Sequence, residues 1–259
     1  MDYNYHTHTF RCRHAKGSME EYVLRAIEGG IKYMGFSDHV PFRYPTGQEA
    51  FFRVPIAEVG DYMDEAVRLR EKYRDVIEIK IGFEMEYYAP HFEQMLSEAV
   101  KYGAEYLILG QHHPSVENAY PNEKSSFSPN ITDEDLIAYV ESVVAAIDTG
   151  VFTYIAHPDA IRYGGSLELY EEQMSKICAA SVKMGTPLEL NFLGIRSKRA
   201  YPREDFWRLV GRFGCPVTFG FDAHDVQSAY DCESLSTAME IVKLYNLNYI
   251  GKPELRPII

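Results

Sequence analysis

The stretch VFTYIAHPDAIRYGGSLELYEEQMSKICAASVKMGTPLELN, residues 151–191, holds one complete strand–helix–strand unit. Its apolar run at 153–156 is short and stops at His157-Pro158-Asp159. A run of this length bounded by turn residues reads as a buried strand. An amphipathic segment over 167–184 follows and ends at Gly185, a residue type that closes helices because it enters the left-handed backbone region freely. A second apolar run, 188–191, ends at Asn191. This order is the unit of a parallel sheet with crossover helices.

The same rhythm extends in both directions. Strands are predicted at 2–5, 33–36, 77–83, 106–109, 153–156, 188–191 and 217–220, and helices at 19–28, 57–73, 92–102, 133–148, 167–184, 203–213 and 232–245. Ser18 with Glu21 and Thr132 with Asp135 are spaced as capping boxes. A closed or nearly closed barrel and an open doubly wound sheet both accommodate the pattern, and seven units favour the barrel. A last short run at 249–250 is either an added strand or a tail. No linker, low-complexity tract or solenoid repeat divides the chain, so residues 1–259 read as a single domain. The connections at 40–55 and 114–131 are long for β/α loops. Both follow strand C-terminal ends, where parallel barrels keep their sites, and are expected to cover the substrate.

Composition removes several function classes. The net charge of −12 argues against broad nucleic-acid or membrane-surface binding. No apolar run is long enough to span a bilayer, and the start MDYNYHTHTF lacks a signal-peptide pattern. Cys12, Cys178, Cys215 and Cys232 form no paired motif, which fits a reducing, cytoplasmic setting. A single Trp207 and the twenty tyrosines are expected to pack rather than to bind a cofactor.

The histidines gather where the strands end. His6-Thr7-His8 closes the first run, with His14 six residues on. Asp38-His39 closes the second, Glu84 the third, Gln111-His112-His113 the fourth, His157 the fifth, and Asp222-Ala223-His224 the seventh. In a parallel barrel all these ends face one mouth. So many titratable groups need a compensating charge, and divalent cations supply it. Imidazole and carboxylate without paired cysteines suits Zn, Mn or Fe. Strand alternation admits only one of His112 and His113 to the interior, and His112 is favoured. Asp38, Glu86 and Asp159 stand beside ligand positions and are expected either to orient imidazoles or to cap helices.

Taken as an ordered set, His6-x-His8, His14, Asp38-His39, Gly82-x-Glu84, Gly110-x-His112, His157-Pro158 and Asp222-x-His224 resemble the PHP (polymerase and histidinol phosphatase) family, over residues 1 to about 224. The resemblance implies a distorted (β/α)7 TIM-like barrel of the PHP type, with three divalent or trivalent ions (Zn, Mn and/or Fe) at its mouth. His6, His8, Glu84 and Asp222 would hold the first ion. Glu84 would bridge to a second, with His112 and His157, and His14, His39 and His224 would hold the third.

Within the family the chain is most similar to the stand-alone histidinol-phosphate phosphatases. This implies a metal-dependent phosphomonoesterase that hydrolyses L-histidinol phosphate through a metal-bridging hydroxide, in histidine biosynthesis. The partner is then a small phosphomonoester, with no nucleic acid and no membrane. Arg162 and Arg196 fall where similar phosphatases contact phosphate, and join Glu84 and Asp222 as catalytic candidates. Phe42, Tyr44, Phe51, Tyr120 and Glu123 in the long loops are candidates for the substrate amine. The alternatives are another phosphomonoester, a nucleic-acid end, or a metal-binding protein without turnover. Arg196-Ser197-Lys198-Arg199 is the one dense cationic group, suited to a single phosphate rather than a strand.

Overall fold

The computed structural model describes residues 1–114 and 124–258. Its eight strands form one parallel sheet in sequence order. They are β1 (Tyr3–Asn4), β2 (Tyr33–His39), β3 (Glu78–Met85), β4 (Tyr106–Leu109), β5 (Phe152–Ile155), β6 (Leu188–Asn191), β7 (Pro216–Gly220) and β8 (Asn248–Tyr249). The helices are α1 (Met19–Glu28), α2 (Val59–Tyr73), α3 (Phe92–Tyr102), α4 (Asp133–Thr149), α5 (Leu167–Met184), α6 (Phe192–Arg196), α7 (Glu204–Phe213) and α8 (Cys232–Leu244). Because every strand pairs with the next in sequence, each crossover advances one place in the same direction and the sheet curls on itself.

The curl closes at one end. Thr7 and Ala223 form a parallel bridge just past β1 and β7. There His8 N donates to Ala223 O at 3.0 Å and Ala223 N to His6 O at 3.3 Å. Asn4 Oδ1 accepts from Phe221 N at 3.0 Å and Tyr3 Oη from Phe219 N at 3.2 Å. At the opposite end β8 pairs with β7 through Pro216↔Asn248 and Val217↔Tyr249, and Tyr249 Oη reaches Tyr3 Oη at 3.2 Å. The molecule is thus a seven-stranded (β/α) barrel, distorted because β8 wedges in at the bottom. Closure excludes the open doubly wound alternative, and the run at 249–250 proves to be the edge of an added strand.

Two apolar clusters follow from this. The larger lies between helices and strands. The smaller joins Tyr3, Tyr5, Tyr106, Ile108, Tyr154 and Ala156. They come from β1 on one side and the paired strands β4 and β5 on the other, with their extensions; β1 pairs with neither, so the two sides meet across the barrel interior. The Tyr106 hydroxyl is shared between the carbonyls of Tyr5, at 2.8 Å, and Phe36, at 3.1 Å. Tyrosines therefore plug the barrel beneath its mouth and satisfy backbone groups there.

The capping boxes at Ser18/Glu21 and Thr132/Asp135 form as the spacing predicts. Helix α6 was not expected. It has five residues, too few to show a 3.6-residue period, and starts on Asn191, whose Oδ1 accepts from Gly194 N at 3.1 Å.

Candidate metal centre

Six strand ends deliver side chains to the closed mouth. His6 and His8 follow β1, His39 ends β2, Glu84 lies near the end of β3, His112 follows β4, His157 follows β5, and Asp222 and His224 follow β7. The loop after β1 brings His14. All nine expected ligands lie in one region, and the aligned ends of parallel strands are what put them there.

Glu84 is the hub and is fully buried. Its Oε1 lies 3.0 Å from His157 Nε2 and 3.4 Å from His112 Nε2. Its Oε2 lies 3.4 Å from His8 Nε2, 3.2 Å from His39 Nδ1 and 3.7 Å from His6 Nε2. Asp222 Oδ1 stands 3.3 Å from His8 Nε2 and 3.5 Å from His6 Nε2. One oxygen of Glu84 thus faces His112 and His157, the other faces His6, His8 and His39. The His14 ring lies 4.8 Å from that of His224 and 5.4 Å from that of His39. The Cys12 thiol, to which sequence reasoning assigned no site role, lies close enough to His14 and His224 to share an ion with them.

Two ligand positions have left-handed backbone, His157 at φ +33° and Asp222 at φ +48°. Glycines flank the carboxylates for lack of room: a Cβ on Gly110 would lie 1.8 Å from Glu84 Oε1, and one on Gly220 would lie 1.7 Å from Glu189 Oε1.

A second layer orients the imidazoles. Glu189 Oε1 takes His6 Nδ1 at 2.8 Å, and its Oε2 accepts from His157 N at 3.0 Å and Asn191 Nδ2 at 2.8 Å. Glu86 Oε1 takes His112 Nδ1 at 2.7 Å, and its other oxygen pairs at 2.7 Å with Arg53, fully buried and supplied by the long loop after β2. Asp38 Oδ1 lies 3.5 Å from His8 Nδ1 while Oδ2 accepts from Thr9 N and Thr9 Oγ1. Each arrangement leaves the other ring nitrogen facing the centre, the usual support of a metal-bound histidine. Asp38 and Glu86 fulfil the orienting role. Asp159 does not, because it accepts from Arg203 N at 2.6 Å and Trp207 Nε1 at 2.9 Å and so ties β5 to α7.

Electrostatics matches a cation site. Burial opposes ionisation of Glu84, but His112, His39 and His6 outweigh it and hold its pKa well below the usual range. Asp222 behaves likewise, burial losing to His6 and His224. Glu86 is brought down to about 2, Arg53 and His112 prevailing over burial. Burial pulls His6 down, yet Glu189, Asp222 and Glu84 lift it to about 10. Burial drives His39 well below its ordinary value and His14 to about 4. The carboxylates of Glu189, Asp222 and Glu84 thus favour positive charge at His6. Glu84 Oε2, Asp222 Oδ1 and His39 Nδ1 are buried without a well-directed hydrogen bond. Cations would satisfy all three, so the donor set fits metal.

His112, not His113, faces the centre. His113 sits behind it, its Nδ1 3.2 Å from Tyr88 Oη and its ring 6.1 Å from Phe52. Both border a cavity of about 670 Å³ that opens over the ligands and is walled by Phe51, Phe52, Phe127 and Tyr201. Phe42 and Tyr44 pack inside their loop, and Tyr120 and Glu123 lie outside the described residues.

The two expected arginines are placed differently. Arg162 is exposed and lines an adjoining cavity of about 590 Å³ with Lys198 and Arg199. Arg196 does not line the metal cavity. Its two terminal nitrogens donate to the carbonyls of Phe221 and Asp222, both at 2.5 Å, so its fork is used on backbone rather than turned to a phosphate. Arg199 lines both cavities, its guanidinium 5.7 Å from the Phe127 ring and donating to Tyr201 Oη at 3.3 Å. Sequence reasoning also missed Glu189 and Arg53. Glu189 had a readable signal, an acid two residues before Asn191 in an otherwise apolar strand. Arg53 had none, since its partner is 33 positions away.

A PHP domain model matches residues 4–192. The chain belongs to the PHP domain family. Over 228 residues it is 26% identical to a probable histidinol-phosphatase of Deinococcus radiodurans, covering 85% of each chain. It is 24% identical to a histidinol-phosphatase of Bacillus subtilis, covering 87% of this chain and 96% of that one. A solved histidinol phosphate phosphatase from Lactococcus lactis, complexed with zinc, L-histidinol and phosphate, superposes with a TM-score of 0.76 at 20% identity, over 99% of this chain and 97% of that one. Among the described residues no helix is long and apolar enough to cross a membrane.

Proposed function

We infer that this PHP protein is a metal-dependent histidinol-phosphatase, releasing phosphate from L-histidinol phosphate. The observation that carries the reading is the gathering of nine imidazole and carboxylate donors, with Glu84 among five of the imidazoles, at the mouth of a closed barrel, under a cavity with one arginine and an aromatic wall. The names and the zinc, L-histidinol and phosphate complex of the similar proteins support the substrate. Residues 1–259 act as one metallophosphoesterase domain.

His6, His8, Glu84 and Asp222 would hold a first ion, Glu84, His112 and His157 a second, and His14, His39 and His224 a third. Zinc suits these donors, and Mn or Fe are accommodated by the same chemistry. When bound, the cations supply Lewis acidity, which stabilises charge on phosphoryl oxygens and makes water acidic enough to act as nucleophile near neutral pH.

The chain's own residues do the rest. Glu84 places its two oxygens towards separate ligand groups. Glu189, Glu86 and Asp38 fix the rings of His6, His112 and His8. Arg199 presents a cation to the anionic phosphoryl group. Phe51, Phe52, Phe127 and Tyr201 exclude water and offer ring faces to the imidazole and ammonium of the substrate.

The test is phosphate release from L-histidinol phosphate by metal-replete protein, beside a chelator-treated sample. Metal-dependent release, with kcat/KM well above that for other phosphomonoesters, is expected. Equal rates for unrelated phosphomonoesters or for a DNA 3′-phosphate would move the assignment to another substrate.

A further inference from the structure

Arg196 closes α6 and lies against the end of β7. Its Nη1 and Nη2 grip two successive carbonyls, of Phe221 and Asp222. Asp231 Oδ2, on the residue that caps α8, lies 3.7 Å from Nη1 and offsets its charge. The two carbonyls are turned to one guanidinium because Asp222 is left-handed, at φ +48°. Aspartate visits this region but does not favour it, so a neighbour must hold it there. The same Asp222 carbonyl takes His224 Nδ1 at 3.1 Å. A single peptide oxygen therefore links Arg196, the carboxylate facing His6 and His8, and the imidazole facing His14.

We propose that Arg196 is a positioning residue for the two ligands after β7, Asp222 and His224, and not a contact to the phosphate. The proposal rests on the metallophosphatase reading above for what those ligands hold. A planar fork with two parallel donors fits two consecutive carbonyls, and a lysine ammonium cannot span both in the same way. Without the fork, the Asp222 peptide relaxes towards negative φ. Its carboxylate then turns away from His6 and His8, and His224 loses the acceptor that fixes its ring. Arg199, which faces the cavity, takes the anion.

The test compares R196M, R196K and R199A in the full chain. Zinc binding is read by competition with a chromogenic chelator and by metal content per chain. Anion binding is read separately, as the dissociation constant of inorganic phosphate at saturating zinc. R196M is expected to bind zinc at least about tenfold more weakly, in line with the loss of other outer supports of metal ligands, and to carry fewer ions per chain. Its phosphate constant at saturating zinc stays within about twofold of wild type, well under the tenfold that 1.4 kcal/mol represents. R196K, with one donor group, falls between R196M and wild type in zinc affinity. R199A keeps wild-type zinc content and weakens phosphate about tenfold, as loss of a charged hydrogen bond implies.

Wild-type zinc binding in R196M overturns the proposal, as does a phosphate constant that stays raised at saturating zinc. Should R196M fail to fold by circular dichroism, R196K carries the same comparison. Zinc and phosphate binding are measured without the organic substrate. Failure to hydrolyse L-histidinol phosphate would therefore strike the assigned reaction and leave this comparison standing.

Discussion

Glu84 shows what one residue does when the chain is folded around it. Its carboxylate sits between five imidazoles, with an oxygen for each side of the centre. Glu84→Gln preserves shape but replaces one oxygen with an NH₂ that cannot ligate. The variant is expected to lose metal and activity together, with activity down at least about 100-fold, while its circular dichroism is unchanged. Metal content and turnover measured on the same sample check this, and full occupancy with retained turnover would remove Glu84 from the bridging role. His112 and His113 separate in the same way. His112→Ala is expected to lower the number of ions per chain, because Nε2 faces Glu84 and Nδ1 is held by Glu86. His113→Phe keeps the ions, and any change falls on KM, since that ring borders the cavity beside Phe52. The histidines were legible as candidates because each follows a predicted strand. Their orienting acids were only partly so. Asp38 and Glu86 adjoin ligands in sequence, whereas Glu189 reaches His6 across 183 positions.

At the scale of elements, strand ends set the site and helix starts steady it. Asp159 leaves β5 and accepts from the backbone of Arg203 and the indole of Trp207, locking the start of α7. Burial raises its pKa to about 6, more than its hydrogen bonds lower it. The sign follows from proton linkage. Below about pH 4 the carboxyl is protonated in folded and unfolded chains alike. Between about pH 4 and 6 the folded chain keeps a proton that the unfolded chain releases, so stability falls as pH rises through this window. Above it the full cost of the buried charge is present, at most ~3 kcal/mol. Asp159→Asn keeps an acceptor oxygen and removes the titration. The melting temperature of the variant relative to wild type is therefore expected to rise between pH 4.5 and pH 7.5, and thermal melts at the two values check it. Strand and helix positions were largely readable. Strands β4 and β6 and helices α1, α3 and α5 match their predicted bounds. The misses occur where periodicity has nothing to work on, as in five-residue α6, or where pairing lengthens a strand, as in β2, which runs on to His39 because its register with β3 pairs His39 with Glu84.

For the whole molecule, closure and charge are coupled. The Thr7–Ala223 bridge brings the first and last ligand segments together, so the mouth exists only in the folded barrel. Metal that binds this mouth and not the unfolded chain stabilises the fold by mass action, about 4 kcal/mol at a thousandfold excess over the dissociation constant. Chelation is expected to lower the melting temperature on the order of 10 °C for a domain of this size. Differential scanning with and without chelator, followed by re-addition of zinc, checks it. Equal melting temperatures would mean that the donors do not hold ions in the folded chain. Three divalent ions would also bring the net charge of −12 to about −6.

The sequence alone determined the alternation of strand and helix, the barrel as the favoured closure, and the set of imidazoles and carboxylates at strand ends. These follow from local periodicity, cap chemistry and residue type, all of which act over a few positions. Tertiary structure decided which histidine of the adjacent pair turns inward, that Glu189 and Arg53 stand behind the ligands, and that Arg196 grips backbone while Arg199 faces the cavity. Those outcomes depend on where a side chain's reach ends after the ring has closed. That is set by contacts between residues tens to hundreds of positions apart, and no local pattern carries them.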